Sequence, residues 1–139
     1  CEEAAAKARD MNLAGRYVGL CFRAGENSWY GHVTLKDYID DGKSFFDMCA
    51  LICAEWKMPY VRFCGVTLGM LTSSKLLTLP LFANDRRRKV LIKHVDMLNE
   101  KYGHYSVFPG QLLGVDIIRP EVNGYFGDKK YRLAKFEKY

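Results

Sequence analysis

The stretch "RYVGLCFRAGENSWYGHVTLK", residues 16–36, decides the fold because apolar and other side chains alternate along it. One set of alternate positions is apolar and consists of Val18, Leu20 and Phe22. The positions between and around them are Tyr17, Gly19, Cys21 and Arg23. Alternation with a period of two is typical of a strand with one buried face. The turn residues "AGENS" lead into "WYGHVTLK", so the stretch predicts two consecutive strands joined by a tight turn.

Three other segments have the composition or the spacing of helices. The segment "CEEAAAKARDMNLAG" is rich in helix formers and predicts a short N-terminal helix that stops at Gly15. The segment "SFFDMCALICAEWK" carries apolar residues at helical intervals and predicts an amphipathic helix ended by Pro59. The segment "RRRKVLIKHVDMLNEKYG" predicts a long helix that begins at Asn84 or Asp85 and is closed by Gly103. Its expected apolar stripe consists of Leu91, Val95, Leu98 and Tyr102.

The remaining segments complete a predicted sheet. "YVRFCGVTLGML" predicts a third strand and "YSVFPG" a fourth, whereas the packing of the tail is not assigned. The order of elements predicts an α+β fold: a four-stranded, mainly antiparallel sheet with two helices packed on one face, a short N-terminal helix and a C-terminal extension. The predicted boundaries are 1–14 for the N-terminal helix or linker end, 15–113 for the domain and 114–139 for the extension.

Composition narrows the class of protein. The 139 residues are 49% hydrophobic and 14% aromatic, which is typical of one folded domain. The net charge of +5 favours a polyanionic partner, and no apolar run has the roughly twenty residues of a membrane span. A start at Cys1, without Met or a leader, indicates an excised fragment. The five cysteines form no C-x-x-C pair and are expected to be buried free thiols in a reducing compartment.

The acidic stretch "LKDYIDDGKSFF", residues 35–46, resembles a metal site at first sight. A calcium loop that starts at Asp37 would place Ile39 and Met48 at ligand positions, and neither can bind calcium. A polymerase site needs carboxylates from separate strands around two metals, and no second acidic strand is present. We therefore predict a solvated turn followed by a helix cap formed by Ser44 and Asp47, with no catalytic or metal-binding residue.

Basic residues point to a different surface. Four of them fall on strand positions that face away from the apolar alternation: Arg23, His32, Lys36 and Arg62. Small residues expected on the same face would let backbone amides approach phosphates: Gly19, Gly31 and Gly69. A solvated sheet face is the alternative. The cluster of basic residues at 86–89 opposes the helix dipole, so a phosphate or an acidic partner is plausible there, beside the commoner solvated face.

From Val61 onward the sequence resembles the C-terminal little-finger domain of Y-family translesion DNA polymerases. The resemblance lies in "VRFCGVTLGML", "LTLPLF" and "RRRKVLIKHVDMLNEKYG". That family shows an Arg-x-x-Gly-Val strand, a segment ending in Leu-Phe, and a helix with Asp, Asn and Gly spaced as in Asp96, Asn99 and Gly103. The resemblance covers residues 1–110 and is most specific over 61–108.

The resemblance implies a sheet whose open face lies along the DNA major groove and contacts mainly phosphates. The DNA-binding residues expected on that basis are Arg23, His32, Lys36, Arg62, Thr67, Gly69 and Lys75. Thr67 stands where the family often has a basic residue. The family's catalytic carboxylates and magnesium belong to a palm domain, so this chain is expected to be non-catalytic and without a cofactor. It would bind primer–template DNA as a monomer during damage bypass, in a bacterial cytoplasm or a eukaryotic nucleus, and would not bind membranes.

A second resemblance concerns "TLPLF", residues 78–82, which is similar to the bacterial sliding-clamp motif Gln-Leu-x-Leu-Phe. The residues expected to bind a clamp are Thr78, Leu79, Leu81 and Phe82, with Thr78 in place of the usual Gln. A core segment is the alternative, and "QLLGV", residues 111–115, is a competing clamp-like stretch. The alternative function is therefore a protein-interaction domain that recruits the polymerase to a clamp or accessory subunit and has little affinity for DNA.

Overall fold

The computed structural model describes residues 1–57, 60–77, 83–103 and 105–113. The helices are α1 (Glu2–Asp10), α2 (Gly42–Cys53) and α3 (Ala83–Tyr102). The strands are β1 (Leu13–Ala24), β2 (Asn27–Ile39), β3 (Phe63–Gly69) and β4 (Thr72–Ser73). Two short 3₁₀ turns cover Ser74–Leu76 and Gly110–Leu112. The chain divides into two compact units, Cys1–Val107 and Phe108–Tyr139, and these α-helices and strands belong to the first.

The four strands form one antiparallel arrangement around β1. Strand β1 lies in the centre, with β2 and β3 on its two sides and β4 paired to its first residues. The turn between β1 and β2 contains Gly25 at a φ of 62°, a conformation that glycine adopts readily. The predicted α+β class, the four-stranded sheet and the hairpin over residues 16–36 are confirmed.

The core lies between the sheet and two helices, α1 and α2. Val18 of β1 and Phe45 of α2 are the largest fully buried side chains. Leu20 and Phe22 continue the buried face of β1, as the alternation predicts. Helix α1 contributes the small side chain of Ala5, which is also fully buried and lets the helix approach closely. The apolar face of the hairpin is therefore covered, and the opposite face is left free by both helices.

Helix α3 meets the rest of the unit through a mixed face rather than through the expected apolar stripe. No α3 residue is buried, and Leu91 and Tyr102 of that stripe are 63% and 65% exposed. The less exposed positions of α3 recur at helical spacing and are Arg88, Ile92, Val95, Asp96 and Asn99. The helix is turned so that charged and amide side chains face inward, because their partners lie on other elements.

Arg9 of α1 joins three elements. Its guanidinium forms two hydrogen bonds to the Asp96 carboxylate, from Nε at 2.7 Å and from Nη2 at 2.8 Å. It also donates to the Asp40 carbonyl at 2.7 Å and to Glu2 at 3.1 Å. Burial lowers the pKa of Arg9, but its bonds to Asp96 and the attraction of Asp96 and Glu2 raise it above the ordinary value overall. These bonds tie α1, the β2–α2 connection and α3 together.

The acidic turn is not freely solvated, and the helix cap differs from the prediction. Asp41 is the N-cap of α2 and accepts a hydrogen bond from the Ser44 amide at 2.9 Å. The predicted cap formed by Ser44 and Asp47 is wrong, since Asp47 instead pairs with Lys43 at 2.7 Å. Asp41 also bonds Arg88 of α3. One short turn thus caps α2 and holds the first turns of α3.

The predicted strand in "YSVFPG" is also different in the structure. Residues 105–107 form a turn and bends, and the fourth strand is β4, only two residues long. The Asn99 side chain forms two hydrogen bonds with Val107 after the helix. Its Oδ1 accepts from the Val107 amide at 2.8 Å, and its Nδ2 donates to the Val107 carbonyl at 2.9 Å. Gly103 ends α3 at a φ of 106° and donates its amide to the Asn99 carbonyl.

Candidate nucleic-acid interface

The sheet face opposite α1 and α2 is built from matched positions on three strands. On β1 these positions are Tyr17, Gly19, Cys21 and Arg23. Their partners on β2 are Thr34, His32, Tyr30 and Ser28, and their partners on β3 are Gly69, Thr67, Gly65 and Phe63. We call these twelve residues the open face. None of the twelve residues is acidic. The two basic side chains of the open face, Arg23 and His32, therefore have no carboxylate beside them on this face.

The open face brings together four of the seven sequence-predicted DNA-binding residues. They are Arg23, His32, Thr67 and Gly69. His32 and Thr67 lie directly on either side of Gly19.

The other three predicted residues lie beyond the matched rows. Lys36 is exposed further along β2, and Lys75 is exposed in the 3₁₀ turn after β4. Arg62 lies in a bend one residue before β3, where its amide donates to the Arg23 carbonyl at 2.8 Å. Gly31 was expected on the same face as these residues, but it pairs with Leu20 on the helix side. A Cβ there would meet Ile52 at 2.5 Å.

Aromatic rings occupy much of the open face. The Tyr17 and His32 rings are stacked, with their centroids 5.3 Å apart and their planes at 25°. The Tyr30 ring also stacks on His32, with the centroids 5.9 Å apart and the planes at 28°. The Tyr17 and Tyr30 hydroxyls lie 2.5 Å apart in a hydrogen bond. That bond, and less so desolvation, raises the pKa of Tyr30 to about 12.

The rings lie over glycines. A Cβ on Gly19 would come 2.5 Å from the Tyr30 hydroxyl oxygen and 3.4 Å from Tyr17 Cε1. A Cβ on Gly69 would meet Tyr17 Cδ1 at 3.2 Å, and one on Gly65 would meet Phe63 Cε1 at 3.1 Å. The rings therefore fill the space that side chains at these glycines would take. Glycine and aromatic positions on this face form one layer of side chains that lies low on the strands.

Sequence reasoning missed this layer of aromatic rings, although its signal was present. Tyr17 shares its strand face with Gly19, and Tyr30 is two residues before His32 on the partner strand. The sequence predicts instead that these glycines leave room for phosphates. In the structure, the room above Gly19 is filled by Tyr30 and Tyr17, so ligand contacts at this point would be to rings and not to the backbone.

The positively charged Arg23 side chain of this face lies beside the aromatic ring of Phe63. The Arg23 guanidinium carbon lies 5.5 Å from the centroid of the Phe63 ring, in cation–π contact. Both side chains are exposed, and Phe63 is 44% accessible. This end of the open face can therefore offer a positive charge and an aromatic surface to the same ligand.

The basic cluster at 86–89 has acidic partners within the chain. Arg88 bonds Asp41, and Lys89 lies 4.0 Å from Asp40. Arg88 and Lys89 thus have the expected acidic partners, and these partners lie within the chain. Both residues help to attach α3 to the turn before α2. The clamp-like residues Thr78, Leu79, Leu81 and Phe82 lie outside the described residues, and that motif stays a prediction.

Metal and thiol chemistry have little basis in the described part of the chain. No group of three His, Cys, Asp or Glu side chains within 1–57, 60–77, 83–103 and 105–113 could hold a metal ion. All five cysteines are free, but only Cys49 is buried and Cys64 is exposed, so the expectation of uniformly buried thiols is wrong. Burial raises the pKa of the Cys49 thiol, which keeps it protonated at neutral pH.

Comparison with known proteins adds no relative. The sequence matches no protein-family model, and no curated protein is significantly similar to it. Among the described residues, no helix is long and apolar enough to cross a membrane.

Proposed function

We propose that this chain is a DNA-binding domain of a Y-family translesion DNA polymerase and binds primer–template DNA through the open face. The observation that carries the proposal is the open face itself. It presents Arg23 and His32, has no acidic residue in its twelve matched positions, and lies opposite the helices that cover the core. Positive charge without nearby carboxylates attracts the phosphate backbone, and such contacts supply affinity rather than base specificity.

The residues of the family resemblance support the proposal through their structural roles. Asp96 receives the two hydrogen bonds from Arg9, Asn99 clasps Val107, and Gly103 ends α3 at a positive φ. A motif of this spacing is therefore needed to attach and end α3 in this fold. In such a polymerase, metal-dependent nucleotidyl transfer would take place in a separate palm domain. The DNA-binding domain formed by this chain would grip the DNA during damage bypass.

Binding to a labelled primed duplex across a salt series tests the proposal. The logarithm of the association constant should fall linearly with the logarithm of the salt concentration. The Arg23→Ala, Lys36→Ala variant should bind more weakly, and its slope should be smaller by about one for each phosphate that is no longer neutralised. The matched control, Lys57→Ala with Lys93→Ala, removes two exposed charges from α3 and the segment after α2 and should keep the wild-type slope.

Two results would count against this function. The first is an absence of binding at low salt, and the second is binding that does not change with salt. Either result would favour the alternative function, a protein-interaction domain with little affinity for DNA. Equal effects of the two double variants would show that total charge, and not its position on the open face and the adjoining part of β2, governs binding.

A further inference from the structure

We propose that the aromatic rings of the open face stack against unpaired bases, so that this face holds a single-stranded segment of DNA. The rings are Tyr17, Tyr30, His32 and Phe63, which we call the ring layer. The inference rests on the proposed binding of DNA by the same face. It adds that the DNA segment held by this face is single-stranded. It also gives the rings a role in binding bases, whereas contacts to phosphates alone would not require rings.

The arrangement of the rings is the first argument. Tyr30 is 53% exposed and Phe63 is 44% exposed, although each carries a large apolar surface. Tyr17 and Tyr30 each stack on His32, with interplanar angles of 25° and 28°. The glycines beneath the rings keep them low on the sheet. Exposed aromatic rings offer π-faces to a planar ligand, and a nucleobase is such a ligand.

The electrostatics of the face are the second argument. A single strand needs positive charge for its phosphates next to aromatic surface for its bases. Arg23 supplies both together with Phe63, at 5.5 Å from the ring centroid. The twelve open-face positions contain no carboxylate that would repel a phosphate. An apolar protein partner would make no use of this charge.

The pairing state of the DNA follows from the shape of the face. In a duplex, the faces of the bases are stacked on one another, and only the base edges reach the grooves. A ring layer that lies low on a sheet cannot enter that stack. Unpaired bases expose their faces, and four-stranded sheets with exposed aromatic residues are known to stack two or three of them. The single-stranded part of a primer–template is therefore the segment that fits this surface.

The test compares a single-stranded oligothymidylate with an abasic oligonucleotide of the same length and charge, both labelled for anisotropy. The wild-type chain should bind the oligothymidylate at least about tenfold more tightly, since stacking contributes to each base that is held. This comparison needs no variant and does not depend on how a substitution folds. A primed duplex with a single-stranded template overhang should also bind more tightly than the same duplex with a blunt end.

Variants then locate the stacking. Tyr17→Leu with Tyr30→Leu should reduce binding of the oligothymidylate about tenfold or more and leave binding of the abasic strand unchanged. Tyr17→Phe with Tyr30→Phe keeps the rings and removes the hydroxyl pair, so it should bind like the wild type. The matched control is Tyr60→Leu with Tyr102→Leu, which removes two exposed tyrosines outside the ring layer and should have no effect.

The outcomes separate this inference from the proposed function. Equal affinity of the wild type for the base-bearing and abasic strands would overturn it, because the rings would then only cover the glycines of the sheet. In that case salt-dependent binding of the primed duplex would still support the DNA-binding function. If no DNA binds at low salt, both proposals fail together.

Discussion

Glycine at position 19 shows how a single residue shapes the candidate site. Its missing side chain leaves room for the Tyr30 hydroxyl and the edge of the Tyr17 ring. A Cβ would lie only 2.5 Å from the Tyr30 hydroxyl oxygen, so alanine would push that ring away from the sheet. The close hydroxyl pair of Tyr17 and Tyr30 therefore depends on the glycine at position 19, which leaves room for both rings.

The hydroxyl pair makes a prediction about pH. The pKa of Tyr30 is raised to about 12 because its neutral form is hydrogen-bonded to Tyr17. In the unfolded chain Tyr30 would ionise near its ordinary pKa of about 10, so the pair contributes stability below that pH. The contribution is lost as pH rises from about 10 towards 12. In Tyr17→Phe, the spectrophotometric titration of Tyr30 should move back towards its ordinary pKa, and an unchanged titration would contradict the pairing.

The N-cap residue of α2, Asp41, could not be predicted from the local sequence. Asp41 and Ser44 are both good N-cap residues and lie three positions apart, so the local sequence cannot choose between them. The structure selects Asp41, which also bonds Arg88 at a separation of 47 residues. The choice is thus coupled to a distant contact that no local pattern contains.

Among the elements, α3 depends on ion pairs rather than on burial. It has no buried residue, and its Asp96 and Arg88 form ion pairs with Arg9 of α1 and with Asp41. Asp96 and Arg9 are 32% and 12% exposed, so their bonds are partly shielded from water. A partly shielded bidentate pair is stronger than a surface pair, and its loss leaves the guanidinium without its main partner.

Asp96→Asn tests this attachment. We expect a loss of about 2 kcal/mol in the free energy of unfolding, since the charged acceptor of two hydrogen bonds is removed. Hydrogen exchange should become faster at the α3 amides and stay unchanged in β1. The matched control is Asp47→Asn, which breaks a pair whose side chains are 64% and 46% exposed and should cost about 0.5 kcal/mol or less. If the α3 amides of the Asp96→Asn variant exchange at the wild-type rate, the attachment of α3 by this ion pair is contradicted.

The elements also differ in how far the sequence predicts them. The β1–β2 hairpin follows from local alternation, and the helical character of α1, α2 and α3 follows from composition and spacing. The inward face of α3 could not be predicted, because the Arg9 that turns Asp96 inward is 87 residues away in the chain. Strand β4 has two residues and therefore no pattern to recognise.

The whole first unit, Cys1–Val107, has one covered sheet face and one open face. The sequence predicts this division, and four of its seven DNA-binding candidates lie on the open face. It did not predict the ring layer, because its four rings come from three strands and share one face only when those strands are in register. The unit thus places positive charge and aromatic surface together on the side that its own helices leave free. The central claim is that DNA occupies this open face.

The most direct measurement is an amide chemical-shift titration of the isotope-labelled chain with a primer–template that carries a single-stranded overhang. We expect shifts to concentrate on the open face, at Tyr17, Arg23, Tyr30, His32 and Thr67. The amides of residues 90–98, which belong to α3 and not to the open face, should move little. Shifts confined to α3, or no shifts at saturating DNA in low salt, would contradict the claim.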